Sequence, residues 1–313
     1  MAKNRFTRRQ FIQSSIATLA LASLSELPRS KVLADTLNPY PNLAVVTDAE
    51  PVAITRKVIE LLGGMKRFVS KGDIVVVKPN IGWDRTPEQG ATTNPEVVAE
   101  IVRMCLEAGA KKVKVFDNSC NAAIRCYDRS GIMKAASRAG AEVSYMVEAG
   151  FSKVNLPQGE AIKSWEIYKP VLEADLLINV PIAKHHDFAG LTLGIKNLMG
   201  IMGGNRGKIH WNLNDSLVDL VNFIRPRLTI LDATRILLRN GPQGGDPKDV
   251  RKLDTIIAGT EIATVDAYGT TLFGLKPQDL ACIVKASKFG LGEIDLKRVN
   301  IRKISLAQAG DKL

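Results

Sequence analysis

Along most of the chain, short runs of β-branched apolar residues alternate with stretches in which apolar residues recur three and four positions apart. Ile74-Val75-Val76-Val77 is apolar without interruption, as expected of a strand buried on both faces. Thr93-Asn94-Pro95-Glu96 then opens a helix, with a capping residue ahead of a proline at the first helical position. Its inner face is Val97, Val98, Ile101, Val102, Cys105 and Ala108, and Gly109 ends it. Lys112 to Phe116 returns as a strand. The pattern then predicts a helix over 132–139, strands over 141–146 and 174–180, a helix over 213–224 and a strand over 228–231. A strand over 255–258, helices over 262–272 and 279–289, and a strand near 299–304 complete it. Strands alternating with helices predict an α/β fold, a mostly parallel sheet flanked by helices. No internal repeat and no Pro/Ser-rich linker interrupts the series. The expected organisation is a segment 1–34 followed by two α/β lobes, 35–160 and 161–313.

The first 34 residues have a different pattern. Thr7-Arg8-Arg9-Gln10-Phe11-Ile12 precedes a weakly apolar run from Ile16 to Leu24, and Val32-Leu33-Ala34 stands before Asp35. A charged start, a short apolar stretch and a small-residue end read as a signal peptide cleaved near Ala34. The run is too short to span a bilayer. Its paired arginines and low hydrophobicity are those of a twin-arginine signal, so the expected partner is the twin-arginine export machinery and the expected location periplasmic or otherwise extracytoplasmic. No later apolar run reaches the roughly 20 residues of a membrane span, so no span is expected in the mature chain.

Charge changes the picture only through its position. The chain has 313 residues, with 43 Lys and Arg against 32 Asp and Glu, a formal +11, and 45% of it is hydrophobic. Six basic residues and one acid, Glu26, lie in the first 34 positions, so +5 belongs to the export segment and +6 remains. That remainder gives no reason to expect a nucleic-acid partner.

In open α/β sheets, ligands bind beyond the carboxyl ends of the strands. Following the predicted strands are Lys78-Pro79-Asn80, Asp117-Asn118-Ser119, Pro181-Ile182-Ala183-Lys184-His185-His186-Asp187, and Asp232. Two of the three histidines sit in one of these segments, and the third is His210. Adjacent histidines diverge in direction, so one of the pair is expected to face a site. Histidine is suited to proton transfer near neutral pH and to metal ligation. The candidates are therefore Lys184, His185 and Lys196 for catalysis and Lys78, Asn80, Asn197 and Arg206 for substrate binding. Asp117, His185, His210 and Asp232 are candidates for a divalent or transition metal. Asp266 reads as a charge at a helix start and not as a ligand.

Familiar motifs are missing. Gly207-Lys208 fails as a phosphate loop, because Met202 and Ile209 stand where Gly and Ser or Thr are required. What survives is a glycine-rich stretch, Gly190 to Lys208, able to bring backbone N–H groups close to an anion. Neither Gly-x-Gly-x-x-Gly nor Gly-x-Ser-x-Gly occurs. The cysteines, Cys105, Cys120, Cys126 and Cys282, form no Cys-x-x-Cys pair. Cys120 and Cys126 are read either as a disulfide or as a pair of ligands for a soft metal.

The ordered series of motifs resembles one family. Lys78-Pro79-Asn80, Thr93-Asn94-Pro95-Glu96-Val97-Val98, Asn179-Val180-Pro181 with Lys184-His185, Gly194-Ile195-Lys196-Asn197-Leu198-Met199-Gly200, Arg225-Pro226, Asp232 and Asn240-Gly241-Pro242 with Gly245-Asp246-Pro247 are similar to domain-of-unknown-function family 362. The likeness runs from about residue 50 to residue 305. It implies no assigned reaction. Some relatives resemble iron–sulfur proteins through an appended ferredoxin-type cysteine cluster, which this chain lacks, so no iron–sulfur role is expected. What the resemblance carries over is the core set Lys78, Asn80, Lys184, His185, Lys196, Asn197 and Asp232. Two functions remain: an exported enzyme acting on a small anionic ligand, a carboxylate or phosphate ester, by Lys/His acid–base or metal-assisted chemistry, or a non-catalytic metal- or cofactor-binding periplasmic protein.

Overall fold

Strand β2 (Ile74–Pro79) forms where the sequence is most continuously apolar, and the rest of the sheet assembles around it. The computed structural model describes residues 39–307, so the export segment 1–34 lies outside the described residues. On one side β2 pairs in parallel with β3 (Lys112–Val115), which pairs in parallel with the two-residue β4 (Glu142–Val143). On the other side it pairs in parallel with β7 (Leu176–Val180), and β7 with β10 (Leu228–Leu237). Beyond β10 come β11 (Val250–Gly259), antiparallel, then β1 (Leu43–Thr47), antiparallel to β11, and β12 (Ile301–Ser305), parallel to β1. After Pro181 the chain continues as β8 (Ile182–His186), which pairs with β10 and folds back antiparallel to β9 (Gly190–Thr192). A separate hairpin joins β5 (Phe151–Asn155) to β6 (Ser164–Tyr168).

The period-two alternation of these strands sends neighbouring residues into two different cores. Val75 and Val77 of β2, Ile178 of β7 and Ile256 of β11 pack on one face with α1 (Pro51–Leu61), α2 (Pro95–Glu107), α3 (Ala123–Arg129) and α4 (Ile132–Arg138). Val76, Leu177, Leu231 and Ile257 pack on the other with α7 (Leu213–Ile224), α8 (Ile262–Thr271) and α9 (Ala281–Lys288). The result is an α/β fold whose mixed sheet of mostly parallel strands is flanked by helices. Strands from both sides of residue 160 share this one sheet, and β1 lies between two strands of the last third. Helices α1 to α4, before residue 160, cover one face of this sheet, and α7 to α9, after it, cover the other.

Most elements lie where the periodicity places them. Helix α7 covers the predicted 213–224, and Asn94 caps α2 by accepting from the Glu96 N–H at 2.9 Å with Pro95 behind it. The strand expected over 141–146 is shorter, Glu142–Val143, because only its start pairs with β3. Among the elements that escape the pattern are β1, α1, α3, the β5–β6 hairpin, β8 and β9. Strand β8 ends in Lys184-His185-His186, and that polar tail reads as a loop until β10 supplies a pairing partner. Among the described residues no helix is long and apolar enough to cross a membrane.

Candidate functional site

At the carboxyl ends of β2, β3 and β7 the chain leaves a cavity of about 600 Å³. Its cationic lining is Lys78 from β2, Lys184 from β8, Lys196 from the short helix α6 (Gly194–Asn197), and Arg206. Asn80, Asn197, Asp117 and His210 share the same walls. Six of the seven residues assigned from sequence to catalysis or substrate binding are thus brought together from elements up to 128 residues apart, Lys78 to Arg206.

A buried polar network sets the floor. The Lys78 ammonium lies 2.8 Å from Asp117 Oδ1 and donates to the Asn197 carbonyl at 2.5 Å and to Asn197 Oδ1 at 3.0 Å. Asn197 Nδ2 in turn donates to Asn179 Oδ1, and Asn80 Nδ2 donates to Asn197 Oδ1 at 3.0 Å. Asp117 Oδ2 accepts from the Ile81 N–H, and Tyr127 holds the Asp117 backbone at both N–H and C=O. Burial lowers the Lys78 pKa and Asp117 opposes that shift. Gly200 packs directly on this ion pair: a Cβ there would run into Asp117 Oδ1 and Lys78 Nζ, so the position excludes every other residue.

The two remaining lysines have no such partner. Lys184 is 1% exposed, and its ammonium donates only to neutral acceptors, the Ala91 carbonyl at 2.6 Å and Asn80 Oδ1 at 3.3 Å. Lys196 donates to the thioether sulfur of Met199 at 2.8 Å. Among the described residues neither makes an ion pair, and burial pulls their pKa values down, to about 7 for Lys184 and about 8 for Lys196. Asp117 is already matched to Lys78. Four cationic side chains, Lys78, Lys184, Lys196 and Arg206, thus share the lining with two carboxylates, Asp117, which is matched to Lys78, and the exposed Asp187 beside His185, a net positive charge that favours an anion.

The histidine pair divides against expectation. Lys184 and His186 are two apart on β8 and face the cavity together, whereas His185 points the other way, its Nδ1 accepting from the Gly241 N–H at 3.2 Å. Strand alternation is the signal that would have found His186, had 182–186 been recognised as a strand. His186 is buried, and its Nδ1 accepts from the N–H groups of Phe188 and Ala189. That leaves Nε2 to carry the proton of a neutral ring. Burial, then the charges of Lys196 and Lys184, push its pKa down to about 3. The His210 ring lies 6.4 Å away, nearly parallel.

The four candidate metal ligands do not converge as a set: Asp117 and His210 line the cavity, whereas Asp232 and His185 do not. Asp232 is completely buried in β10, where it accepts from the Asn94 N–H at 2.7 Å and from the N–H and hydroxyl of Thr234. Asp117 is neutralised by Lys78, and His185 faces Gly241. Among the described residues no group of three or more His, Cys, Asp or Glu side chains could hold a metal ion. The donor set does not fit the metal expected from sequence.

Two further residues differ in role from the sequence reading. Arg206 lines the cavity, but its two guanidinium nitrogens donate to the carbonyls of Asn118 and Ser119, so it also clamps that loop. Asp266, read as a charge for its own helix, instead accepts from the N–H groups of Gly194 and Ile195 and caps α6, which carries Lys196 and Asn197. Cys120 and Cys126 are both free thiols and not a disulfide, and Cys120 lines the cavity.

The family model described as "Domain of unknown function (DUF362)" matches residues 75–271. Among curated proteins, the chain is 27% identical over 249 residues to the Thylakoid-associated protein sll1697 of Synechocystis sp.. That alignment covers 77% of this chain and 75% of the other. Among solved structures it is similar to the lactate racemase apoprotein from Thermoanaerobacterium thermosaccharolyticum, with a TM-score of 0.42 and 16% identity. The match covers 77% of this chain and spans 58% of that one.

Proposed function

The chain belongs to the DUF362 family, and on that premise we propose that it is an enzyme that binds a small anionic substrate, a carboxylate or phosphate ester, in the lysine-lined cavity and moves a proton within it. One observation carries this reading: among the described residues Lys184 and Lys196 both line the cavity without an ion-pair partner, while Asp117 is matched to Lys78. Lys196 holds the anion, with Arg206 and the Asn80–Asn197 floor fixing its orientation. Lys184 is held near pH 7 by burial, so it exchanges a proton readily at neutral pH. It is the acid–base group, and the neutral His186 ring is the hydrogen-bond donor opposite it. Proton removal from the carbon next to a carboxylate matches this set of groups.

Anion affinity then depends on pH in a stated direction. Sulfate stays a dianion across the neutral range, so any change reports the protein. As pH rises from 6 to 9 through the values of Lys184 and Lys196, both ammonium groups lose their protons and sulfate affinity falls at least about tenfold. Titration calorimetry reads this directly, and a flat profile would count against the two lysines as the anion's partners. Without ligand the sign is opposite. Lys184 keeps its proton to about 10.5 when unfolded but releases it near 7 when folded, so its contribution to stability grows between those values. Turnover has its own test, deuterium exchange at the α carbon of a panel of small hydroxy and oxo acids followed by NMR. An acid that binds and never exchanges removes the catalytic half of the proposal.

We also infer that residues 1–34 address the protein to the twin-arginine export machinery, on the strength of Arg8-Arg9 and the short apolar stretch that follows. The mature protein recovered from the extracytoplasmic fraction begins at Asp35 by intact mass. A recovered chain that still carries Met1 overturns the assignment.

A further inference from the structure

Resting on the anion-binding reading, we propose that Cys120 is the nucleophile of the cavity, selective for small carboxylates that carry an electrophilic carbon next to the carboxylate. The thiol is exposed and lines the same walls as Lys78, Lys184 and Lys196. It rides on a short arch fixed from both sides. The Asn118 N–H donates to the Gly200 carbonyl at 2.9 Å, Ser119 Oγ to the Ile81 carbonyl at 2.6 Å, and the Cys120 N–H to the Gly82 carbonyl at 2.8 Å. Arg206 adds two more bonds from the opposite wall. The sulfur is therefore presented to the cavity on a segment pinned by hydrogen bonds to both walls, as an attacking group requires.

A second observation is independent of the thiol. Lys184 is 99% buried, makes no ion pair among the described residues, and lines the same space, its ammonium held by the Ala91 carbonyl and Asn80 Oδ1. The cationic side chains of the cavity draw a substrate carboxylate to the wall that carries the thiol, and a neutral Lys184 amine is an acceptor for the thiol proton. In the step, the Cys120 proton passes to Lys184 Nζ and the thiolate sulfur bonds to the electrophilic carbon. With iodoacetate as the probe, an S–C bond forms, the C–I bond breaks and iodide leaves.

Iodoacetate and iodoacetamide differ in charge and little in size, so their relative rates isolate the effect of the lysines. Cys105, Cys126 and Cys282 are buried, and native-state labelling mapped by peptide mass spectrometry reports Cys120. At neutral pH and low salt, iodoacetate modifies Cys120 about tenfold faster than iodoacetamide, and sulfate slows it. Lys184→Met removes the preference while the labelling site stays the same. Equal rates, or faster reaction with the neutral reagent, overturn the proposal. Sulfate calorimetry on the same sample separates the two readings. Sulfate binding without a labelling preference removes the nucleophile alone, and absence of both removes the anion site as well.

Discussion

Replacing Lys184 with methionine lowers sulfate affinity by about 30-fold or more while leaving the unliganded protein as stable as before, or more stable. The two effects part because of what surrounds this side chain. Its ammonium is buried against the Ala91 carbonyl and Asn80 Oδ1 with no carboxylate in contact. Burying a charge without a counter-charge is unfavourable, and an apolar side chain of similar length removes that penalty. Once an anion is bound, the same ammonium faces its counter-charge in a site that water screens poorly. Removing a charged hydrogen-bond partner costs about 2–3 kcal/mol, and each 1.4 kcal/mol is tenfold in affinity. Chemical denaturation and sulfate titration on one preparation give both quantities. A variant that binds sulfate like the wild type would show that the anion, if any, sits elsewhere.

Lys78→Met has the reverse signature: it destabilises the fold by about 3–5 kcal/mol, because it leaves the Asp117 carboxylate buried and unmatched. Lys78 is 1% exposed and Asp117 3%, so solvent cannot replace the lost partner. The double variant Lys78→Met/Asp117→Asn regains most of that loss. The asparagine keeps an acceptor for the Ile81 N–H while removing the charge. A double-mutant cycle in urea measures the coupling. Equal destabilisation in the single and double variants would mean that packing around Gly200, and not the ion pair, governs this corner. The pair of predictions separates two classes of lysine within one cavity: Lys78 holds the floor together, and Lys184 waits for a ligand.

Much of the site is legible in the sequence because the rule that governs it is topological. Loops beyond the carboxyl ends of parallel strands converge, so reading the residue after each predicted strand recovers Lys78, Asn80, Asp117 and Lys184. What the rule does not carry is direction. Asp232 follows a predicted strand as Asp117 does, yet β10 continues past it to Leu237, and the carboxylate is enclosed by Asn94 and Thr234. His185 and His186 are equivalent in composition, and only the pairing of β8 with β10 and β9 decides which shares a face with Lys184. Cys120 has no motif around it. Its position in the cavity follows from bonds made to Gly82, Ile81 and Gly200, residues 38 and 39 positions before it and 80 after.

The sequence by itself determined the α/β class, since apolar periods of two and of three to four are properties of local backbone geometry, and it located the cationic residues at one end of the sheet. Tertiary structure alone decided that strands from both halves share a single sheet, that the halves differ in the face their helices cover, and which charges are matched. Charge matching is set by distance and burial between separate segments, as between Lys78 and Asp117, 39 residues apart, and the polar partners of the lysines lie farther still, Asn197 for Lys78 and Asn80 for Lys184. No local pattern in the chain encodes such distances.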